Sequence, residues 1–410
     1  MSIKQISSQK NLKDKRIILR LDLNEPIDDK GKLLDDFRIS SAIPTIKALW
    51  KNGNKLIIVS HLGRPEGKVV SKMSLRPVAE RLSELLNTKF VQTSDQLPDY
   101  AVKHLIFFTR ELTNSDVKDS LAEQSAKDIV VLENIRFYPG EESLDQSLAK
   151  NLAALGDVFV DDAFSVAHRT AVSVTVLPEL LPSYAGPLLA KETSALDVLL
   201  SGRYKKPFVL LMGGIKISDK SQTLMNLGKS ADKILIGGGL ANLFLAAQGY
   251  DVDVNDDKAS ISTAKQILLN FKSKLVLPID ATCYSANKRS GSKIVVKKIP
   301  EITKSDKVYD IGPATILEFT KILQSAGTIC WNGPMGFFEE KPYRAGTLSM
   351  AKVVGGLGKR KAFVVAGGGE TVAAIRQSGQ TDHLDHVSTG GGAMLEYLAG
   401  IKLPGIEALK

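Results

Sequence analysis

Cysteine is scarce: 410 residues carry only Cys283 and Cys330, too few for a disulfide framework and without metal-ligand spacing. Both read as structural thiols, with Cys330 buried in the strand before Trp331. No apolar run reaches the roughly 18 residues of a membrane-spanning helix, and the opening MSIKQISSQKNLKDK lacks the apolar stretch of a secretion signal. These absences predict a soluble cytoplasmic protein with no membrane partner. Aromatic residues make up 6% of the chain and do not interleave with basic ones, so no nucleic-acid partner is expected. There is no low-complexity tract or short-period repeat.

The net charge of +9 admits two readings. One is attraction of phosphorylated metabolites into a basic cleft; the other is a lysine-rich solvated surface. Lysines between Lys288 and Lys298 stand away from every motif and fit the second.

Apolar runs of about four to eight residues alternate with helical patterns of about ten to sixteen, which predicts parallel α/β layers with right-handed crossovers. With 43% hydrophobic content the chain can bury a large core, and its length favours two domains. The loops after the strands change character at mid-chain. In the first half, KRIILRLDLNEP, NKLIIVSHLGRP, DIVVLENIRF and DVFVDDAFSVAHRT bring Asp22, Asn24, His61, Arg64, Arg136 and Arg169 to strand ends. In the second half, VLLMGGIKISDK, ILIGGGLAN, VYDIGPAT, TICWNGPMG, FVVAGGGET and HVSTGGGA each put glycine where a strand hands over to a helix. Glycine lets backbone amides approach an anion, and a helix N-terminus adds partial positive charge. Open parallel sheets bind ligands beyond the carboxyl ends of their strands, so two ligand sites, one per half, are expected.

The domain boundary is expected near Ser183 to Lys191, where prolines up to Pro187 break regular structure and Leu188 to Leu200 reads as a helix. The last segment reads as a helix after Gly392 that breaks at Pro404. The stretch from Phe90 to Asp128 receives no function.

RLDLNEP, SHLGRP, LENIRF, DDAFSVAHR, GGIKISDK, WNGPMG and VSTGGGA, in this order, carry a resemblance over essentially the whole chain: the sequence resembles the phosphoglycerate kinase family. The resemblance implies two Rossmann-like three-layer αβα domains with parallel sheets, joined by a hinge. Residues 1–185 would bind phosphoglycerate and 186–397 nucleotide, with residues from about 398 to 410 returning to the first domain. It implies a phosphotransferase with a carboxyl acceptor, moving a phosphoryl group reversibly between 1,3-bisphosphoglycerate and ADP to give 3-phosphoglycerate and ATP. Mg2+ as cofactor, hinge closure, a monomer and a place in glycolysis or gluconeogenesis come with it. A catalytically impaired nucleotide- or metabolite-binding protein of the same fold is the alternative. A nicotinamide dehydrogenase would share the sheet and glycine turns, but GGGLAN and GGGETV lack the full GxGxxG pattern.

By resemblance, Arg64, Arg136 and Arg169 grip the phosphate end and His61 completes the basic pocket. Asp22 and Asn24 orient the hydroxyl and carboxyl end, and Arg38 neutralises charge on the transferring group. Planar guanidinium forks suit such oxyanions bidentately. A single strand-tip arginine is as readily a surface or ion-pair residue; the convergence of several basic strand ends is what points to a site. His168 is either a pocket residue or a histidine satisfied in a turn.

In the second half, Lys220 is expected to contact nucleotide phosphates, and Lys216 matches the family lysine that follows the transferred phosphoryl group. Ser218 or Asp219 is expected to cap the next helix. Gly237, Gly238 and Gly239 are expected to form a flat wall against adenine and Asn332 to lie near the phosphates, and Glu339 matches the family carboxylate that holds the ribose. The helix starts at Gly367, Gly368, Gly369, Glu370 and Thr371 and at Gly390 to Gly392 are expected to face the phosphates, Gly392 as a catalytic residue.

Three positions depart from the family. Glu370 stands for the aspartate that ligates magnesium, one methylene longer in a coordination shell that demands near-ideal geometry. Ser165 and Val166 replace a smaller pair. Catalysis is expected to rest on positioning and charge neutralisation, because the acceptor carboxylate is already ionised at neutral pH and needs no general base.

Overall fold

Strands whose apolar residues run consecutively must be covered on both faces, since successive side chains point to opposite sides. The computed structural model describes residues 3–9, 12–94, 102–109, 121, 123–254, 258–287 and 291–410. The chain divides into two compact units, residues 1–193 with 402–410, and residues 194–401.

In the first unit, β1 (Arg16–Arg20), β2 (Lys55–Val59), β3 (Lys89–Thr93), β4 (His104–Phe108), β5 (Ile129–Leu132), β6 (Val158–Asp161) and β7 (Ser183–Ala185) form one sheet in the order β3-β4-β5-β2-β1-β6-β7. Every pairing is parallel. Alternate residues serve opposite cores: Ile17, Leu19, Leu56 and Ile58 pack with Ile39, Ile46 and Leu82 of two helices, while Ile18, Ile57 and Val59 pack with Leu148 and Leu152. Full burial of each such side chain contributes about 1.5–3 kcal/mol. The chain leaves β1 toward β2 and leaves β6 toward β7, on the opposite side, so the crevice beyond β1 and β6 is the switch point of the sheet.

The prolines expected to break structure near the boundary start it instead. Pro178 lies in the first turn of the helix Leu177–Leu180 and Pro187 opens the helix Pro187–Leu200, positions where the missing N–H has no partner to lose. Ser183–Ala185 between them adds β7 to the sheet beside β6. The division between the units therefore falls inside a continuous helix, after Thr193. Pro404 likewise opens a short helix, the preceding one having ended at Leu398. Residues 402–410 join the first unit through buried Leu403, Ile406 and Leu409 and through the Gly405 N–H, which donates to the Ala167 carbonyl at 2.8 Å.

The second unit contains β8 (Phe208–Met212), β9 (Lys233–Ile236), β10 (Leu275–Val276), β11 (Asp280–Asn287), β12 (Gly291–Lys298), β13 (Asp306–Ile311), β14 (Thr328–Asn332), β15 (Phe363–Gly367) and β16 (His386–Ser388). A parallel sheet runs β10-β9-β8-β14-β15-β16, with Val209, Leu211, Ile329, Trp331 and Val364 in its core. Its switch point lies beyond β8 and β14. An antiparallel sheet, β12-β11-β13, was not expected. It takes up the lysine-rich stretch, where Lys297 pairs with Asp306 at 2.7 Å; Lys288 and Arg289 lie outside the described residues. Cys283 and Cys330 are both buried, and burial pushes their thiols up to about 11 and about 12.

Part of the stretch from Phe90 to Asp128 lies outside the described residues. No described helix is long and apolar enough to cross a membrane.

Candidate active site

At the switch point of the first sheet the loops are tied together by side chains. Asn134, fully buried after β5, donates to the carbonyls of Leu62 and Met73 at 2.7 and 2.8 Å and accepts from the N–H groups of Leu62 and Arg136. One amide thus sets the turn of Arg136 against the loop carrying His61 and Arg64. Arg136 adds a bond from Nη1 to the Gly63 carbonyl at 2.8 Å, and Asn24 Oδ1 accepts from the Gly63 N–H at 2.8 Å.

Arg64, Arg136, His168 and Arg169 line one open pocket of about 440 Å³, with Glu66, Glu142, Thr170 and Ala171. His168 therefore faces the pocket. Burial, with Arg20 nearby, pulls the Arg136 guanidinium down from its ordinary value, against Glu142 and Glu141.

Asp22, Asn24 and Arg38 form an adjoining network, and His61 is held by Arg20, whose Nη2 lies 3.2 Å from its Nδ1. Arg38 Nε lies 3.3 Å from Asp22 Oδ2, and its Nη1 donates to the Asn24 carbonyl. Asp22 accepts from the Asn24 N–H at 3.0 Å and from the Ser165 hydroxyl. Burial opposes ionisation of Asp22, but Arg38 and these two donors hold the carboxyl below its ordinary value.

In the second unit, backbone contacts among glycines build the site. Gly213 N–H donates to the Asn332 carbonyl at 2.9 Å, Gly214 N–H to the Pro334 carbonyl at 2.8 Å, and Gly238 N–H to the Met335 carbonyl at 2.8 Å. A Cβ on Gly213 would lie 2.0 Å from the Pro334 oxygen, and Gly333, with φ +91°, meets Gly213 from the other side. Only glycine lets these strand ends lie so close. Beside them is an open cavity of about 460 Å³ whose walls include Gly214, Gly238, Gly239, Asn242, Tyr309, Phe337, Glu339 and Glu370.

Gly237 is not part of that wall. It precedes the helix Gly238–Ala247, and its Cβ position is taken by Met335 Sδ at 2.6 Å. Asn332 is buried and donates to the Gly367 carbonyl at 2.9 Å, bracing β14 against β15. Thr371 is also buried, its hydroxyl accepting from the Gly333 N–H at 2.8 Å. Gly368, at φ +99°, turns the chain so that the helix Gly369–Gln377 begins at the strand end with Glu370 in its first turn. Gly392 opens the helix Gly392–Leu398 and is exposed.

Neither Ser218 nor Asp219 caps the helix Ser221–Ser230. Lys220 occupies the cap position with no side-chain cap, and Ser218 donates to Asp219 at 2.9 Å instead. Lys216 is exposed, with no ion pair or hydrogen bond among the described residues. Burial pulls the Lys220 ammonium down, against the attraction of Asp219 and Glu370. Burial pushes the Glu370 carboxyl up, and the neighbouring Glu339 adds to the push against Lys220.

The sequence reading missed Arg20. A guanidinium inside the apolar run RIILRL is the available signal, since a charged group in a central strand must be paired. It also missed Ser165 as a donor to Asp22.

The fold and the two sites define a phosphotransferase built from two α/β units. The family model for phosphoglycerate kinase matches residues 7–401. The phosphoglycerate kinase of Chloroflexus aurantiacus is 41% identical over 401 residues, covering 97% of this chain and 96% of that protein. That of Pelotomaculum thermopropionicum is 40% identical over 403 residues, 97% of each. Among solved structures, phosphoglycerate kinase from Coxiella burnetii matches with a TM-score of 0.81 at 36% identity, covering 100% of this chain and 99% of that one. The enzyme from Pyrococcus horikoshii OT3 matches at 0.83 and 28% identity, covering 99% and 98%. The chain belongs to the phosphoglycerate kinase family.

Proposed function

We propose that the protein transfers a phosphoryl group reversibly between 1,3-bisphosphoglycerate and ADP, giving 3-phosphoglycerate and ATP. The observation that carries this reading is the pocket where Arg64, Arg136 and Arg169 converge at the switch point of one sheet, in a chain whose other sheet ends in a glycine-walled cavity. The arginines suit the phosphate of a three-carbon acid; Asp22 and Asn24, with ordered side chains, suit its hydroxyl end.

In the ATP-forming direction, an oxygen of the ADP β-phosphate bonds to the acyl phosphorus as its bond to the carboxyl oxygen breaks. The leaving group is a stable carboxylate, so no proton moves. The residues must place the reactants in line and neutralise charge spread over the equatorial oxygens. Arg38 and Lys216 are assigned that work, with amides at the helix starts of Gly369 and Gly392.

Magnesium enters as part of the nucleotide substrate and neutralises phosphate charge. Among the described residues no group of three or more His, Cys, Asp or Glu could hold a metal alone, but Glu370 and Glu339 line the same cavity and Glu339 opposes ionisation of Glu370, a juxtaposition a cation would relieve. Glu370 is the proposed protein ligand, phosphate oxygens and water completing the shell. Lys220 is proposed to bind phosphate, with Gly238 and Gly239 against the base and Glu339 at the ribose.

Transfer without loss to water calls for closure during turnover, and we assign the hinge to the neighbourhood of the division between the units, after Thr193. Scattering with and without both substrates tests it; identical compactness would count against closure. A cytoplasmic monomer completes the proposal, and sedimentation tests the monomer. The deciding experiment is a coupled assay of ATP formation from 1,3-bisphosphoglycerate and ADP; no ATP above the uncatalysed rate would refute the reading.

A further inference from the structure

Arg20 ends β1 and is 1% exposed. Its Nε donates to the Ser173 hydroxyl at 3.0 Å, which donates on to Glu141 Oε1 at 2.6 Å. Its Nη1 donates to the Leu21 carbonyl, and its Nη2 lies 3.2 Å from His61 Nδ1. The guanidinium is thus fixed on several sides before it reaches the histidine.

A guanidinium has donors only. The nitrogen facing it must therefore accept, so His61 Nδ1 carries a lone pair and the ring's proton sits on Nε2. No other hydrogen bond to this ring is formed among the described residues, which leaves Nε2–H as its one uncommitted polar group. The charges around the ring act in the same sense: burial first, then Arg20, Arg136 and Arg38 disfavour the imidazolium, and Asp22 alone favours it.

We propose that Arg20 is a positioning residue, holding His61 with its proton on Nε2 so that the ring offers the substrate pocket a hydrogen-bond donor and no charge. The donor's use by substrate rests on the proposed function; the tautomer does not. In a site already rich in guanidinium, a neutral donor adds direction without further repulsion between cations. It also makes this part of the site insensitive to pH across the neutral range, where a histidine ordinarily titrates.

The test is a long-range 1H–15N correlation spectrum of the uniformly labelled protein, whose five histidines give a small set of ring signals, with His61 assigned by its loss in His61→Gln. The expected result is an Nε2–H ring whose shifts do not move between about pH 5.5 and 8.5, the window around the ordinary histidine value. A proton on Nδ1, or titration with a midpoint near 6.5, overturns the proposal.

Arg20→Met should return His61 to titration in that window. It should also give KM for 3-phosphoglycerate a new pH dependence, about tenfold weaker on the alkaline side, with kcat changed less; Arg20→Lys should restore the wild-type ring signals. A folded Arg20→Met protein with an unchanged His61 spectrum overturns the proposal, and if that variant does not fold, the wild-type spectrum still decides. An inactive protein with the expected spectrum would remove the kinase reading and leave the tautomer standing.

Discussion

The Ser165 hydroxyl donates to Asp22 Oδ2, the same oxygen that Arg38 Nε approaches at 3.3 Å. A residue that departs from the family pattern thus helps hold the carboxylate assigned to the substrate hydroxyl. Ser165→Ala removes one donor from a covered carboxylate, a loss of about 1 kcal/mol. KM for 3-phosphoglycerate should rise about three- to tenfold with kcat little changed; steady-state kinetics at saturating nucleotide check this, and unaltered KM would dismiss the role.

Arg38 and Lys216 differ in what restrains them, since Arg38 is tied to Asp22 and Asn24 whereas Lys216 is exposed. Both are assigned to the transferring group. Arg38→Ala and Lys216→Ala should each lower kcat by about 10²–10³-fold while the thermal midpoint stays close to wild type. Near-normal turnover in either variant would refute its assignment.

Glu370→Ala should raise the magnesium concentration for half-maximal activity by about tenfold, and Glu370→Asp should keep the wild-type requirement. Calorimetric titration of the nucleotide-bound protein with magnesium gives a second readout. An unchanged requirement in Glu370→Ala would exclude it as a ligand.

Asp162 predicts how the first unit responds to pH. Its Oδ1 accepts from the Leu189 N–H at 2.9 Å and its Oδ2 from the Thr45 hydroxyl at 2.5 Å. Burial pushes the carboxyl up to about 7 despite these bonds, and Asp161 adds to the push. The unfolded chain ionises near 3.9, so between about pH 4 and 7 the folded state binds the extra proton and stability falls as pH rises, by up to about 1.4 kcal/mol per pH unit. Asp162→Asn should flatten that slope in urea unfolding at pH 5 to 8; parallel slopes in the two proteins would sink the assignment.

Gly213→Ala should destabilise the second unit by about 2–3 kcal/mol, because its Cβ would sit 2.0 Å from the Pro334 oxygen. Chemical unfolding followed by Trp331 fluorescence tests this, and a wild-type midpoint would contradict the close packing.

Much of this was legible in the sequence because it is local. Consecutive apolar residues in RIILR and KLIIV require cover on both faces, and the loops after them carry Asp22 and Asn24 in one case and His61 and Arg64 in the other. What was not legible depends on distant partners. Ser165 meets Asp22 across 143 positions of sequence, and Arg20 reaches Ser173 across 153; no periodicity encodes either. The antiparallel strands β11, β12 and β13 were missed because their polar outer faces read as a lysine-rich surface. The packing of Gly237 against Met335 and the bond from Asn332 to Gly367 are likewise tertiary, and neither could be read from the neighbours of those residues in sequence. The prolines at Pro178 and Pro187 misled because the same residue ends one helix and begins the next.

Both thiols belong to residues 194–401, and each is sealed from solvent. An alkylating reagent can mark the chain only when that half opens, so the pace of labelling becomes a clock for its unfolding alone. The other half, which carries no sulfhydryl, stays silent on the same clock.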